Sequence, residues 1–167
     1  VIPGVTSGPN NFAQISIFNP GNTTANVVIT GTYLSGSLPS FVRNIAVAAR
    51  SAVTLTGTQL AFVDNQTLGL RFSSNVNVAF FARERQQTEG NATLGAAQAG
   101  TRFFFGDAFI STPQAGIRYF ENLYFYNPDA AGVNVSVRLL FTNGDTSEVS
   151  VFVGADGFAR LRLHQLP

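Results

Sequence analysis

Apolar and polar side chains alternate with a period of two along most of this chain. Residues 13–18 ("AQISIF") and 26–34 ("NVVITGTYL") show the pattern clearly, with β-branched and aromatic residues prominent. Such alternation is typical of strands with one buried and one exposed face. It predicts further strands at 40–49, 51–57, 67–73, 76–84, 101–110, 119–126, 133–142, 147–154 and 158–166. No segment has the sustained spacing of an amphipathic helix.

Short turn sequences separate the predicted strands. Asn19-Pro20-Gly21 and Asn127-Pro128-Asp129 combine residue types that favour turns, and Asn143-Gly144 lies between two alternating runs, which strongly predicts a hairpin. Many short strands punctuated in this way predict an all-β protein with a sandwich or barrel architecture.

The chain contains an internal repeat. Asn127 follows Asn19 by 108 residues, and after the next hairpin the offset between matching residues becomes 106. A two-residue change inside a hairpin loop costs little. The corresponding segments are 12–36 with 120–144, and 47–60 with 153–166. A match of this length predicts a duplicated structural unit.

The repeat predicts two antiparallel β-sandwich modules, the first at 1–88 and the second at 101–167, joined by a linker at 89–100. The second copy stops where counterparts of the strands at 67–73 and 76–84 should begin. The second module is therefore expected to lack its last two strands, which would leave open strand edges, a liability in water.

Three explanations for the incomplete module stay open. The chain could be a fragment of a longer tandem array. Alternatively, residues 100–118 ("GTRFFFGDAFISTPQAGIR") could close the module, or strands from a neighbouring chain could complete it. Candidate donors for the last case are the N-terminal "VIPGV" and strands equivalent to 67–84 of another chain. A head-to-tail contact of this kind would make the protein a polymerising subunit.

Several runs resemble the tandem immunoglobulin-like modules of bacterial secreted and surface proteins. They are "IFNPGNTTANVVITGTYLSG", "AARSAVTL" and "VAFFARERQQTEGNATLGAAQAGTRFFFGDAF". The positions that match are Asn19-Pro20, Gly36, Arg83-Glu84-Arg85, Glu89-Gly90, Phe103-Phe104-Phe105, Asn127-Pro128 and Gly144. The resemblance implies immunoglobulin-like sandwiches, an extracellular or cell-surface location and no assigned catalytic activity.

Composition narrows the classes of function. A net charge of +1 gives no electrostatic footprint for nucleic acid, and no apolar run is long enough to span a membrane. The absence of Cys excludes thiol catalysis, and the single histidine, His164, has no Gly-x-Ser-x-Gly partner motif. We therefore expect no enzyme and no cofactor. Calcium is the one metal that the aspartates in the turns at 143–145 and 154–157 could bind. An aspartate in a turn more often bonds to its own backbone, so a turn-forming role is expected first.

The aromatic content is dominated by Phe, with 16 residues against four Tyr and no Trp. The run "RFFFGDAF" places Phe on both faces of one predicted strand, so one face should meet another module or subunit. Asn22 and Asn91 lie in predicted surface loops within Asn-x-Thr sequences and are candidates for glycosylation. The predicted interface comprises Phe103, Phe104, Phe105, Val1, Ile2, Leu161 and Leu163.

These observations predict a non-catalytic extracellular structural protein, a subunit of a surface layer or filament assembled by β-strand complementation. Its partners would be copies of itself or neighbouring modules. The alternative is a carbohydrate-binding or adhesion module of a larger secreted protein, with polysaccharide as partner. That alternative requires a row of exposed aromatic rings drawn from Tyr33, Tyr119, Tyr124 and Tyr126.

Overall fold

The structure is a computed structural model that describes residues 1–86, 89–94, 102 and 121–166. The chain forms two compact units, Val1–Gln98 and Ala99–Pro167. Every regular element in the described ranges is a β-strand, apart from a short 3-10 turn at Leu163–Gln165. The prediction of an all-β fold is therefore confirmed.

The first unit consists of two four-stranded antiparallel sheets. Its strands are β1 (Ile2–Ser7), β2 (Asn11–Asn19), β3 (Ala25–Tyr33), β4 (Phe41–Val47), β5 (Ser51–Thr56), β6 (Gln66–Ser74), β7 (Ala79–Gln86) and β8 (Glu89–Leu94). One sheet has the order β1-β6-β3-β4 and the other the order β5-β2-β7-β8. Six of the eight strands coincide with predicted ones, because alternation and turn residues are local signals.

The inward faces of the two sheets form one hydrophobic core. Ile29 on β3 and Ile15 on β2 are completely buried, and both belong to the same apolar cluster. Phe72 on β6 and Phe80 on β7 stack across the two sheets, with ring centroids 4.1 Å apart. This packing is that of a β-sandwich, in which alternate residues of both sheets interdigitate.

The second unit repeats four of these strands. They are β9 (Asn122–Asn127), β10 (Val133–Leu140), β11 (Thr146–Val153) and β12 (Gly157–Arg162). β9 pairs with β12 and β10 pairs with β11, as β2 pairs with β5 and β3 with β4. The register is also repeated: the pair Asn19–Ser51 shifted by the two sequence offsets becomes Asn127–Gly157, which is the observed pair. The predicted duplication is thus visible in the strand pairing.

A compensated exchange of side-chain size distinguishes the copies. Gly31 on β3 faces Phe41 on β4, and a Cβ atom on Gly31 would lie 2.2 Å from the Phe41 ring. The equivalent pair in the second unit is Leu139 with Ser147. In the first unit the large side chain of the pair is on β4, and in the second unit it is on β10. The combined side-chain volume at this position is therefore kept.

Two segments differ from the sequence-based expectation. Residues 89–94, predicted as part of a linker, form β8, which pairs with β7 from Gln86–Glu89 to Phe81–Leu94 and extends the first unit. Residues 2–5 of the N-terminal "VIPGV", which was a candidate donor for another chain, lie in β1, and β1 pairs with β6 of its own unit. Both are edge strands whose short, Gly-containing sequences do not carry a clean alternating pattern.

In the described part of the second unit, β9 and β10 each have one paired neighbour, whereas β2 and β3 each have two. The neighbours without described counterparts are β6 and β7 in the middle of the sheets, and β1 and β8 at their edges. The expectation that the second module lacks its last two strands stays a prediction, because residues 103–120 lie outside the described part of the chain.

Candidate functional site: the open sheets of the second unit

The Asn-Pro turn of the first unit is a structural link between its two sheets. The side chain of Asn19, at the end of β2, is completely buried. Its Nδ2 donates to the carbonyl oxygens of Thr23 (2.8 Å), Val47 (3.1 Å) and Ala48 (3.1 Å). Its Oδ1 accepts from the Gly21 N–H at 3.0 Å. Because the side chain is completely buried and both of its polar atoms bond to the backbone, Asn19 is not accessible to a ligand.

Asn127 makes the same set of contacts in the second unit. Its Nδ2 donates to the carbonyl oxygens of Ala131, Val153 and Gly154, and its Oδ1 accepts from the Asp129 N–H. Each of these partners is the repeat counterpart of an Asn19 partner. The second unit therefore keeps the turn that follows β9 and the hydrogen bonds that tie this turn to the end of β11.

A second polar contact joins the sheets of the first unit near the opposite end of β2. The backbone N–H of Thr6 on β1 donates to Oε1 of Glu84 on β7. Glu84 pairs across the strands with Ala13, whereas Asn19 lies six residues further along β2. β1 is consequently fixed to its own unit both by pairing with β6 and by this carboxylate. Burial also lowers the pKa of the Val1 α-amino group below its usual value of 8.0.

The inward face of β10 differs sharply from that of β3. Val27 and Ile29 on β3 are at most 1% exposed, because β6 and the opposite sheet cover them. Their counterparts Val135 and Val137 are only half-buried, and Val133 is 44% exposed. Apolar side chains on an inward face gain little stabilisation while they remain in water. The inner surface of the second unit is thus an incompletely covered core.

Further apolar side chains are exposed around the β10–β11 hairpin. Leu140 is 73% exposed, Phe152 is 65% exposed and Phe141 is 42% exposed. The first-unit counterparts of Leu140 and Phe152 are Thr32 and Ala46, a polar residue and a small one. Sequence reasoning missed these three residues, although the larger apolar residues at positions 140 and 152 of the repeat were a signal that could have found two of them. Exposed apolar patches on a soluble protein often mark an interaction surface.

Of the tyrosines that the carbohydrate-binding alternative considers, Tyr33 cannot contribute to an exposed row, because it is buried. Tyr33 lies in the core of the first unit, 5% exposed, and its Oη accepts from the Val63 N–H at 3.1 Å. Tyr126 stacks on Phe158 with ring centroids 4.5 Å apart, so each ring covers a face of the other. Tyr124 lies on the same face of β9, and Tyr119 lies outside the described residues.

The predicted interface residues fall into two groups, those outside the described residues and those within them, among which Val1 is only partly buried. Phe103, Phe104 and Phe105 lie outside the described residues. Ile2 is completely buried in β1, and Leu161 and Leu163 are 9% and 1% exposed. These three side chains are buried within the chain itself, so they offer little apolar area to a partner.

The two predicted glycosylation positions also differ. Asn22 is exposed in the loop after β2, as predicted, and its Oδ1 accepts from Arg50 Nε at 3.0 Å. Asn91 lies on β8 rather than in a loop, because this stretch pairs with the free edge of β7. His164 belongs to the 3-10 turn after β12.

The turn aspartates are used in local hydrogen bonds. The Asp145 N–H donates to Asn143 Oδ1, and the Tyr126 hydroxyl donates to Asp156 Oδ1. Among the described residues, no group of three or more His, Asp or Glu side chains is arranged to hold a metal ion. Within the same ranges, no helix combines the length and apolar character needed to cross a membrane.

Comparison with known protein families and with curated proteins gives no match. Among solved structures, that of Thermotoga maritima 1070 is similar, with a TM-score of 0.50 and 17% sequence identity. The match covers 59% of this chain and 92% of that one. At this identity the likeness concerns the fold alone.

Proposed function

We propose that this chain is a non-catalytic structural protein of the extracellular surface, a subunit of a surface layer or filament in which another chain completes the second unit. The observation that carries the proposal is the contrast between equivalent strands. β3 has neighbours on both edges and a buried inward face, whereas β10 has one described neighbour and a partly exposed inward face. An open edge of this kind is a template for pairing with another strand.

The polar groups of the described residues support a structural role. The buried polar side chains are Ser7, Asn19 and Asn127, and the two asparagines hold turns against the ends of neighbouring strands. An active site normally carries polar groups that converge on a cleft and are left free for a substrate. Here the duplicated asparagines serve the architecture in both copies.

The extracellular location rests on the resemblance to immunoglobulin-like modules and on the composition. Charged residues make up 11% of the chain, while Thr, Asn, Ser and Gly are abundant. Labelling of intact source cells with an antibody against the folded chain tests this part. Surface labelling is the expected result, and a signal only after cell lysis would contradict it.

Association is tested by size-exclusion chromatography with light scattering over about 1 to 100 µM protein. By mass action, the fraction of associated chains rises with protein concentration over such a range. We expect a mass above that of one chain, rising with concentration. Hydrogen exchange should show that amides of β10 become protected as association proceeds, while amides of β3 serve as the internal control. A single-chain mass at every concentration, with unchanged exchange of β10, would refute the proposal.

A further inference from the structure

The eight strands of the first unit divide into two halves of four strands that share the same pairing pattern. One half contains the pairs β3–β4 and β2–β5, and the other contains the pairs β6–β1 and β7–β8. The halves meet at two central seams, β3 with β6 and β2 with β7, and both seams are antiparallel. A two-fold axis normal to a sheet relates two antiparallel neighbouring strands. Because the rotation is about the sheet normal, side chains that point into the core still point into the core after it.

The second unit has the strands of one such half. Its described strands are the counterparts of β2 to β5, and the edges that would form the seams are those of β9 and β10. We infer that a second copy of this chain, related by a two-fold axis, supplies the other half, so that two copies build one eight-stranded sandwich. This inference rests on the proposed function and specifies the partner and the geometry of pairing.

The register follows from the first unit. The β3–β6 seam runs over seven pairs, from Val27–Ser74 to Tyr33–Leu68, with Thr30–Arg71 in the middle. In the second unit the equivalent segment is 135–141, which covers most of β10 and the next residue, and its middle residue is Arg138. The axis therefore passes beside Arg138, which lies opposite its own symmetry mate, and Ser136 lies opposite Leu140 of the other copy.

The side chains along this seam suit self-pairing. The inward residues Val135, Val137 and Leu139 are apolar and only half-buried, so the second copy would cover them with the same residues. Arg138 lies on the outward face and pairs across the strands with Glu148 of β11. Oε1 of this carboxylate accepts from Ser136 Oγ, and its negative charge one strand away offsets the meeting of two arginines at the axis.

An interface of one strand edge in each sheet is at the small end of stable interfaces, so we expect a dissociation constant on the order of micromolar. The pairing is closed, since the same patch is used on both copies. The building unit is then a dimer, and any further growth uses another surface.

Because the chain has no Cys, single cysteine substitutions report the register directly. Directly opposed residues of antiparallel strands have Cα atoms about 4.5 to 5.5 Å apart, which a disulfide can bridge. Arg138→Cys should therefore cross-link two copies under mild oxidation. Ser136→Cys and Leu140→Cys should not do so separately, because each lies about 13 Å from its own symmetry mate. Mixing those two variants should restore cross-linking.

All three positions are exposed and outward-facing, so the substitutions should leave the fold intact, which circular dichroism checks. We expect Arg138→Cys to give at least about tenfold more cross-linked dimer than either control alone, since occupancy of the opposed geometry differs by that much or more. Association by light scattering without this selectivity would overturn the two-fold seam and leave the proposed function standing. A monomer with no selective cross-link would overturn both.

Discussion

Replacement of Asn19 by Ala removes the side chain that ties the two sheets of the first unit together. The lost contacts are donations from Nδ2 to three carbonyl oxygens and the acceptance by Oδ1 from the Gly21 N–H. The contact with Val47 O is buried, so this carbonyl group loses a partner in a place that water does not reach. The substitution therefore leaves unsatisfied groups as well as fewer bonds.

The size of the effect follows from these contacts. A net hydrogen bond contributes about 1 kcal/mol, and an unsatisfied buried acceptor costs about 1 to 3 kcal/mol. We expect Asn19→Ala to lower the free energy of unfolding of the first unit by about 3 kcal/mol. For a unit of this length, that corresponds to a fall in melting temperature on the order of 15 °C.

Urea denaturation and thermal melting, followed by circular dichroism, measure this loss. Asn44→Ala is the matched control, because Asn44 is exposed on β4 and its replacement should change stability by less than about 0.5 kcal/mol. Asn127→Ala should instead shift the transition of the second unit, since its contacts are the same.

An aspartate at position 19 gives a sharper test of the geometry. Asn19→Asp keeps the acceptor for Gly21 but turns a carboxylate oxygen toward the carbonyl oxygens of Val47 and Ala48. The folded-state pKa of the new carboxyl should rise above its usual value of about 3.9, because the charged form is disfavoured. Its destabilisation should thus be largest at neutral pH and decrease as the pH falls through the raised pKa. A loss for Asn19→Ala as small as that for Asn44→Ala would refute this account.

Two further predictions concern backbone and packing in the repeat. Gly31→Leu should destabilise the first unit by about 2 kcal/mol through contact with the Phe41 ring, and Phe41→Ser should recover part of that loss in a double-mutant cycle; additive losses in urea would contradict the exchange. Gly36 and Gly144 have φ of 65° and 92° with open space around them, so Ala at either should cost about 1 kcal/mol from backbone strain alone. Gly154→Ala, also in open space but without positive φ, is the control, and an equal cost there would contradict the strain.

The alternating pattern and the turn residues predicted most of the strands, because both are local properties of the chain. The strand β1 was not predicted, because its register shifts between Ile2 and Val5. These two buried residues are three positions apart rather than two or four, so the alternation is broken. The strand β8 was not predicted, because "EGNATL" is polar and resembles a linker. It forms a strand by pairing with the edge of β7. Leu161 and Leu163 were placed at an interface because sequence shows which residues are apolar but not what covers them.

By itself, the sequence determined the all-β class, the positions of the turns and the duplication with its two offsets. These features depend on residue type and spacing, which are written along the chain. The tertiary structure decided which strands pair, that Asn19 reaches carbonyl groups 28 and 29 residues away, and how far each inward face is covered. Val27 and Val135 occupy the same place in the repeat, yet Val27 is completely buried and Val135 is only half-buried. The difference lies in their neighbours, because burial is a property of contacts between segments distant in sequence.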